Sequence, residues 1–258
     1  MLLLHRLISL CLAVLFLSAC HSDVAACADM SVPQQTNALV QSAPRRTAYA
    51  LAFQAMALVS REEEEEELPH AWDFSDAAFV GNSRTVGLQA YNNVPKADFF
   101  AKVALPVNQA RTSKIMTLSS GAKGTIPQAI AEGEYRRVYI MFGVNELGWA
   151  SDLDFKEEYV ALINAIKASQ PDAEIFVQTM FPVGKARSDR DPVFNNANVV
   201  RFNQRVREAA AQTGATLLDT ASLFADSQGN LKAEATTDGI HLTAQASRQW
   251  LSYLREVS

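Results

Sequence analysis

A three-layer α/β/α sandwich around a central, mainly parallel, five-stranded sheet is the fold class this sequence predicts. From Ala77 onward, short apolar runs alternate with longer stretches of helical period, which is the signature of βα units. The chain is also large enough, since 258 residues at 48% hydrophobic and 20% charged can fill one sizeable core. A formal net charge of -5, with no basic cluster beyond the pairs Arg45-Arg46 and Arg136-Arg137, argues against a nucleic-acid partner.

The elements follow in order. "MLLLHRLISLCLAVLFLSAC" begins with Arg6 near its start, runs apolar from Leu7 to Leu17 and ends in small residues, as a secretory signal does. The apolar run is shorter than the about 20 residues a membrane span needs. Its end, "LSAC", resembles the lipobox of bacterial lipoproteins, which implies a signal peptide at 1–19 and lipidation of Cys20. Residues 20–75 read as a flexible tether, interrupted by a helix-prone apolar stretch at 47–60 and the acidic run Glu62 to Glu67. Of the 3 cysteines, Cys11 falls in the signal and Cys20 carries lipid, so Cys27 alone cannot form an internal disulfide. The expected protein is an extracytoplasmic monomer attached to the membrane by its N-terminal lipid.

The remaining domain, 76–258, carries candidate strands at 77–81, 98–103, 137–142, 174–180 and 215–219. Helices are predicted near 84–92, 125–132, 153–169, 197–213 and 243–256. The third is well supported: Phe155, Tyr159, Leu162, Ile163 and Ile166 recur at helical spacing before a terminating Pro171. In the last, Trp250, Leu251 and Leu254 can face a core.

Such sheets gather functional groups at the C-terminal ends of their strands, and three polar clusters fall there. They are "FVGNSRTVGL" (79–88), "FGVNELGW" (142–149) and "TTDGIHLT" (236–243). Ser83 in the first is either a helix N-cap or a nucleophile. A serine nucleophile needs a base, and His5, His21 and His70 all precede the first strand, which leaves His241. Asp238, three residues earlier, is placed either to orient that imidazole or to make an Asp-Gly turn before the last helix.

Together these clusters resemble the SGNH, or GDSL, hydrolases: "FVGNSRT" is similar to the family's nucleophile block, "GVNE" to its Gly-x-Asn-Asp block and "DGIH" to its Asp-x-x-His block. The resemblance covers about 76–258 and implies the family's flavodoxin-like sandwich. It also implies Ser83 as nucleophile, His241 as general base and then acid, and Asp238 as the orienting carboxylate. The implied oxyanion hole comprises the amides of Ser83 and Ala104 and the side chain of Asn145. Three positions depart from the pattern: Asn82 and Glu146 stand for aspartates, and Ala104 for a glycine, which is tolerable if the backbone there needs no positive φ. An α/β-hydrolase elbow is excluded by Thr85 at its obligatory glycine position. With one histidine and no cysteine in the domain, no metal or other cofactor is expected.

The activity so implied is a serine esterase removing acetyl or other short acyl groups from carbohydrate esters, its partner a small acyl ester or acylated glycan. The alternatives are a non-catalytic glycan-binding lipoprotein and an acyltransferase acting on cell-wall polymer. Arg84 and Glu146 are candidate substrate contacts, although Arg84 can instead pair with Glu146 or Asp238. Trp149 either stacks on a sugar or fills the core. The polar segment 184–199 offers Lys185, Arg187 and Arg190 as a rim for an anionic or sugar ligand.

Overall fold

The computed structural model describes residues 74–258. The expected signal peptide, Cys20, the tether, the 47–60 helix and the acidic run lie outside the described residues. Five strands form one sheet: β1 (Ala77–Gly81), β2 (Asp98–Ala101), β5 (Arg137–Met141), β6 (Glu174–Gln178) and β7 (Thr216–Leu218). Their order is β2-β1-β5-β6-β7 and every pairing is parallel. Parallel neighbours need crossovers, and helices supply them. These are α1 (Ser83–Tyr91), α2 (Val107–Thr112), α3 (Ile126–Ile130), α4 (Asp152–Ser169), α5 (Lys185–Ser188), α6 (Asn196–Thr213), α7 (Thr220–Phe224) and α8 (Ala244–Val257). A short hairpin, β3 (Met116–Thr117) with β4 (Lys123–Gly124), interrupts one crossover.

Alternation along the strands assigns each side chain to a face. Ala78, Val80, Val138, Ile140, Ile175 and Val177 point to one side, where they pack against α4 and α6 through residues such as Phe155, Leu162, Phe202 and Val206. Ala77, Phe79, Tyr139 and Phe176 point to the other, against Leu88 of α1 and Trp250, Leu251 and Leu254 of α8. On that second face Phe99, Phe79, Tyr139 and Phe176 occupy the same register on four adjacent strands. Their rings stack in succession at 4.7, 4.9 and 5.0 Å between centroids. Fully burying one such side chain contributes about 1.5–3 kcal/mol, so this aromatic row pins the register as well as filling the core. Trp250 Nε1 donates to Gln178 Oε1 at 2.8 Å, which satisfies the two polar groups buried beneath α8.

Strand and helix boundaries agree with the sequence reading to within two residues, and the strands mostly end earlier than expected. The differences are short elements, α2, α5, α7 and the β3–β4 hairpin, none longer than six residues.

Candidate active site

The parallel register aligns the strand ends that matter. Gly81, the last residue of β1, pairs with Ala101 at the end of β2 and with Met141 at the end of β5. Three loops therefore leave the same sheet edge side by side, bearing Ala104, Ser83 and Asn145. Gly81 permits the tight exit: a Cβ there would lie 2.0 Å from Thr85 Oγ1 and 2.8 Å from the Met141 carbonyl oxygen. Any side chain at this point would force α1 away from the sheet.

The cap of α1 is not Ser83 but its neighbour. Asn82 is the N-cap of α1, its Oδ1 accepting from the Arg84 amide at 3.1 Å. Ser83 thus opens the helix with its hydroxyl free for another partner, and its own amide, at the first turn, has no intrahelical acceptor. That partner is His241, whose Nε2 lies 3.0 Å from Ser83 Oγ. On the far side of the ring, His241 Nδ1 is 2.6 Å from Asp238 Oδ2.

Asp238 also builds the turn that delivers the histidine. Its Oδ1 accepts from the Ile240 and His241 amides, both at 2.8 Å, while Gly239 takes φ 79, a conformation that favours glycine. Burial pushes the Asp238 carboxyl up, but its bonds to the His241 ring and to these amides outweigh that and hold it well below the usual carboxylate range. It is an anion wherever the imidazole needs one.

The loop bearing Asn145 is held in place by Glu146. This side chain is fully buried, so the expectation that it touches substrate is corrected. Its Oε1 accepts from the Val107 amide at 2.5 Å and its Oε2 from the Gly143 amide at 3.0 Å, strapping the loop after β5 to the start of α2. Burial pushes this carboxyl up to about 7, opposed by the amides that favour its charged form. Asn145 Nδ2 donates to the Leu105 carbonyl at 2.9 Å, which orients the amide and leaves its second N–H available.

At Ala104 the sequence-based condition fails. Its φ is 58, in the left-handed region, so a side chain occupies a position that suits glycine. The cost is about 1–2 kcal/mol. Ala104→Gly is therefore expected to raise stability in urea denaturation by about 0.5–1 kcal/mol, the relief being partly offset by glycine's greater unfolded-state entropy. A loss of stability would show that the strain lies elsewhere.

One further expectation is corrected. Arg84 forms no ion pair with Glu146 or Asp238; it is 3% exposed, with too little surface for a substrate, and it bonds to backbone carbonyls instead. Of the residues offered as a cationic rim, Lys185 pairs with Asp189 at 2.7 Å and Arg187 with Asp191 at 3.4 Å. Trp149 is half-buried and lines an open groove with Asn108, Asp154, Glu157 and Glu158. Asn82 Nδ2, where the resembling family has a carboxylate oxygen, is buried without a hydrogen-bond partner.

A serine hydroxyl, an imidazole and a carboxylate in hydrogen-bonded series, beside amides at a helix start, can transfer an acyl group. The model of the GDSL-like lipase/acylhydrolase family matches residues 79–249. No curated protein matches the chain. Among solved structures it is similar to a candidate platelet activating factor from Streptococcus pneumoniae, at 17% identity and TM-score 0.54, covering 87% of this chain and 100% of that one. It is similar to a GDSL-like lipase from Bacteroides thetaiotaomicron at 13% identity and TM-score 0.52, covering 82% of this chain and 97% of that one. A candidate SGNH hydrolase from Slackia heliotrinireducens matches at 18% identity and TM-score 0.53, covering 70% and 96% respectively. At these identities the likeness is one of fold.

Proposed function

The chain belongs to the GDSL-like lipase/acylhydrolase family, and from that premise we propose that it is a serine esterase that removes acetyl or other short acyl groups from carbohydrate esters. The observation that carries this reading is the Ser83–His241–Asp238 series at 3.0 and 2.6 Å. Ser83 Oγ attacks the ester carbonyl and its proton passes to His241 Nε2. The oxyanion receives N–H groups from Ser83, Ala104 and Asn145. Collapse breaks the bond to the leaving alkoxide, which takes the proton back from His241, and water then repeats the sequence to release the acid.

A sugar leaving group is favoured by Trp149, whose indole borders the open groove. The N-terminal segment, by its resemblance to lipoprotein signals, supports a membrane-tethered, extracytoplasmic setting in which 20–75 is a tether and 76–258 the enzyme.

The test is intact mass of the full chain after exposure to an activated p-nitrophenyl organophosphonate. One adduct on the wild type and none on Ser83→Ala is the expected result. Failure of a folded wild type to react would sink the esterase reading in favour of glycan binding without hydrolysis. Product analysis with acetylated glycans then separates hydrolysis from transfer.

A further inference from the structure

Arg84 directly follows the nucleophile, yet its side chain turns into the fold. Its Nε donates to the Ile240 carbonyl at 3.2 Å and its Nη1 to the Phe181 carbonyl at 2.8 Å. The guanidinium carbon lies 4.0 Å from the centre of the Phe181 ring. One side chain therefore joins three segments: the β1–α1 junction, the loop after β6, and the turn bearing Asp238 and His241.

The arrangement works against folding. Burial pulls the guanidinium down to about 9, with only the attraction of Asp238 opposing it. Nη2 is buried without a hydrogen-bond partner. An orphaned donor and a buried cation are both unfavourable, and a methionine would fill similar space with neither. Breaches of this kind collect where function requires them.

The position of the bonds shows what is required. Ile240 sits between Gly239 and His241, inside the turn that Asp238 shapes. Ser83 and Arg84 are consecutive residues of one helix turn, so a bond from Arg84 to Ile240 fixes the nucleophile's helix against the base's turn. Ser83, Arg84, Phe181, His241 and Trp250 border the same small cavity, so losing the guanidinium would open a void directly behind the reacting pair. A planar fork stacked on a ring sets two bonds in one fixed geometry, which a lysine ammonium on a flexible stem does not.

We propose that Arg84 is the positioning residue of the Ser83–His241 pair, holding the turn that carries the base at a fixed distance from the helix that carries the nucleophile. The inference rests on the serine-esterase reading above. In that reaction a misplacement of about 1 Å costs about 10²-fold in rate.

Its test uses the full chain and the same activated organophosphonate, followed by stopped reaction and intact mass across reagent concentrations. Arg84→Met is expected to fold and to lower the maximal rate of adduct formation by about 10²-fold, with the half-saturating concentration unchanged. Arg84→Lys is expected to recover part of that loss. A wild-type maximal rate in either folded variant overturns the proposal, as does a change confined to the half-saturating concentration. Loss of fold in both variants also overturns it, by assigning Arg84 to stability alone. An unreactive wild type removes the esterase reading itself, an outcome that is distinct from an unaffected variant.

Discussion

Replacing His241 by alanine is expected to lower kcat on an activated acetyl ester by about 10⁶-fold, and adding Ser83→Ala to that variant is expected to cost nothing further. The reason is that neither group acts alone. A serine hydroxyl is almost wholly protonated at neutral pH, and the imidazole nitrogen that can relieve it stands 3.0 Å away. With the base gone, the hydroxyl is an ordinary alcohol; with the hydroxyl gone, the base has nothing to deprotonate but water. Residual turnover about 10³- to 10⁴-fold above the uncatalysed rate should survive in all three variants, because the oxyanion donors on the β2 and β5 loops do not depend on either side chain. Steady-state rates of the single and double variants decide the matter. Losses that multiply would mean that Ser83 and His241 contribute independently, and the coupled mechanism would then be wrong.

Much of this site was legible because its parts have local signatures. The long helices declare themselves by period: in α4 the five apolar residues named from sequence are all buried. Strands β1 and β5 read as apolar runs since helices cover both faces of the sheet. Asp238 and His241, three apart, needed only a turn to meet. What the sequence did not disclose is made by distant backbone. The partners of Glu146 are amides, one of them 39 residues away at Val107, and those of Arg84 are carbonyls 97 and 156 residues away. Every residue offers such groups, so no residue type marks them. Charged side chains beside catalytic blocks consequently look like substrate contacts when they are internal fastenings. Ala104 was hidden for the opposite reason: a positive φ is usually announced by glycine, and here it is not. The short elements α2, α5 and α7 fall below the length at which a helical period can be counted.

Asp238→Asn should separate the two tasks that one carboxylate performs. Asparagine keeps an oxygen able to accept from the Ile240 and His241 amides, so the turn should form. In place of the second oxygen, 2.6 Å from His241 Nδ1, it presents an N–H donor. The ring must then carry its proton on Nε2, facing Ser83, where it cannot accept another. Such a reversed tautomer costs about 10⁴-fold in kcat with geometry preserved, and KM should change little. Stability supplies an independent check with a definite sign. The Asp238 carboxyl is held below its usual range, so the folded state binds fewer protons there than the unfolded chain. Its contribution is present above the unfolded carboxyl value of about 4 and is lost as pH falls through the lower folded one. The wild type should therefore exceed Asp238→Asn in stability near neutrality, with the gap narrowing as pH falls from about 4 toward the lower folded value. Denaturation curves at several pH values would show it. A gap that stays constant across that range would mean the carboxylate's charge is not what holds the turn, and the loss in kcat would need another cause.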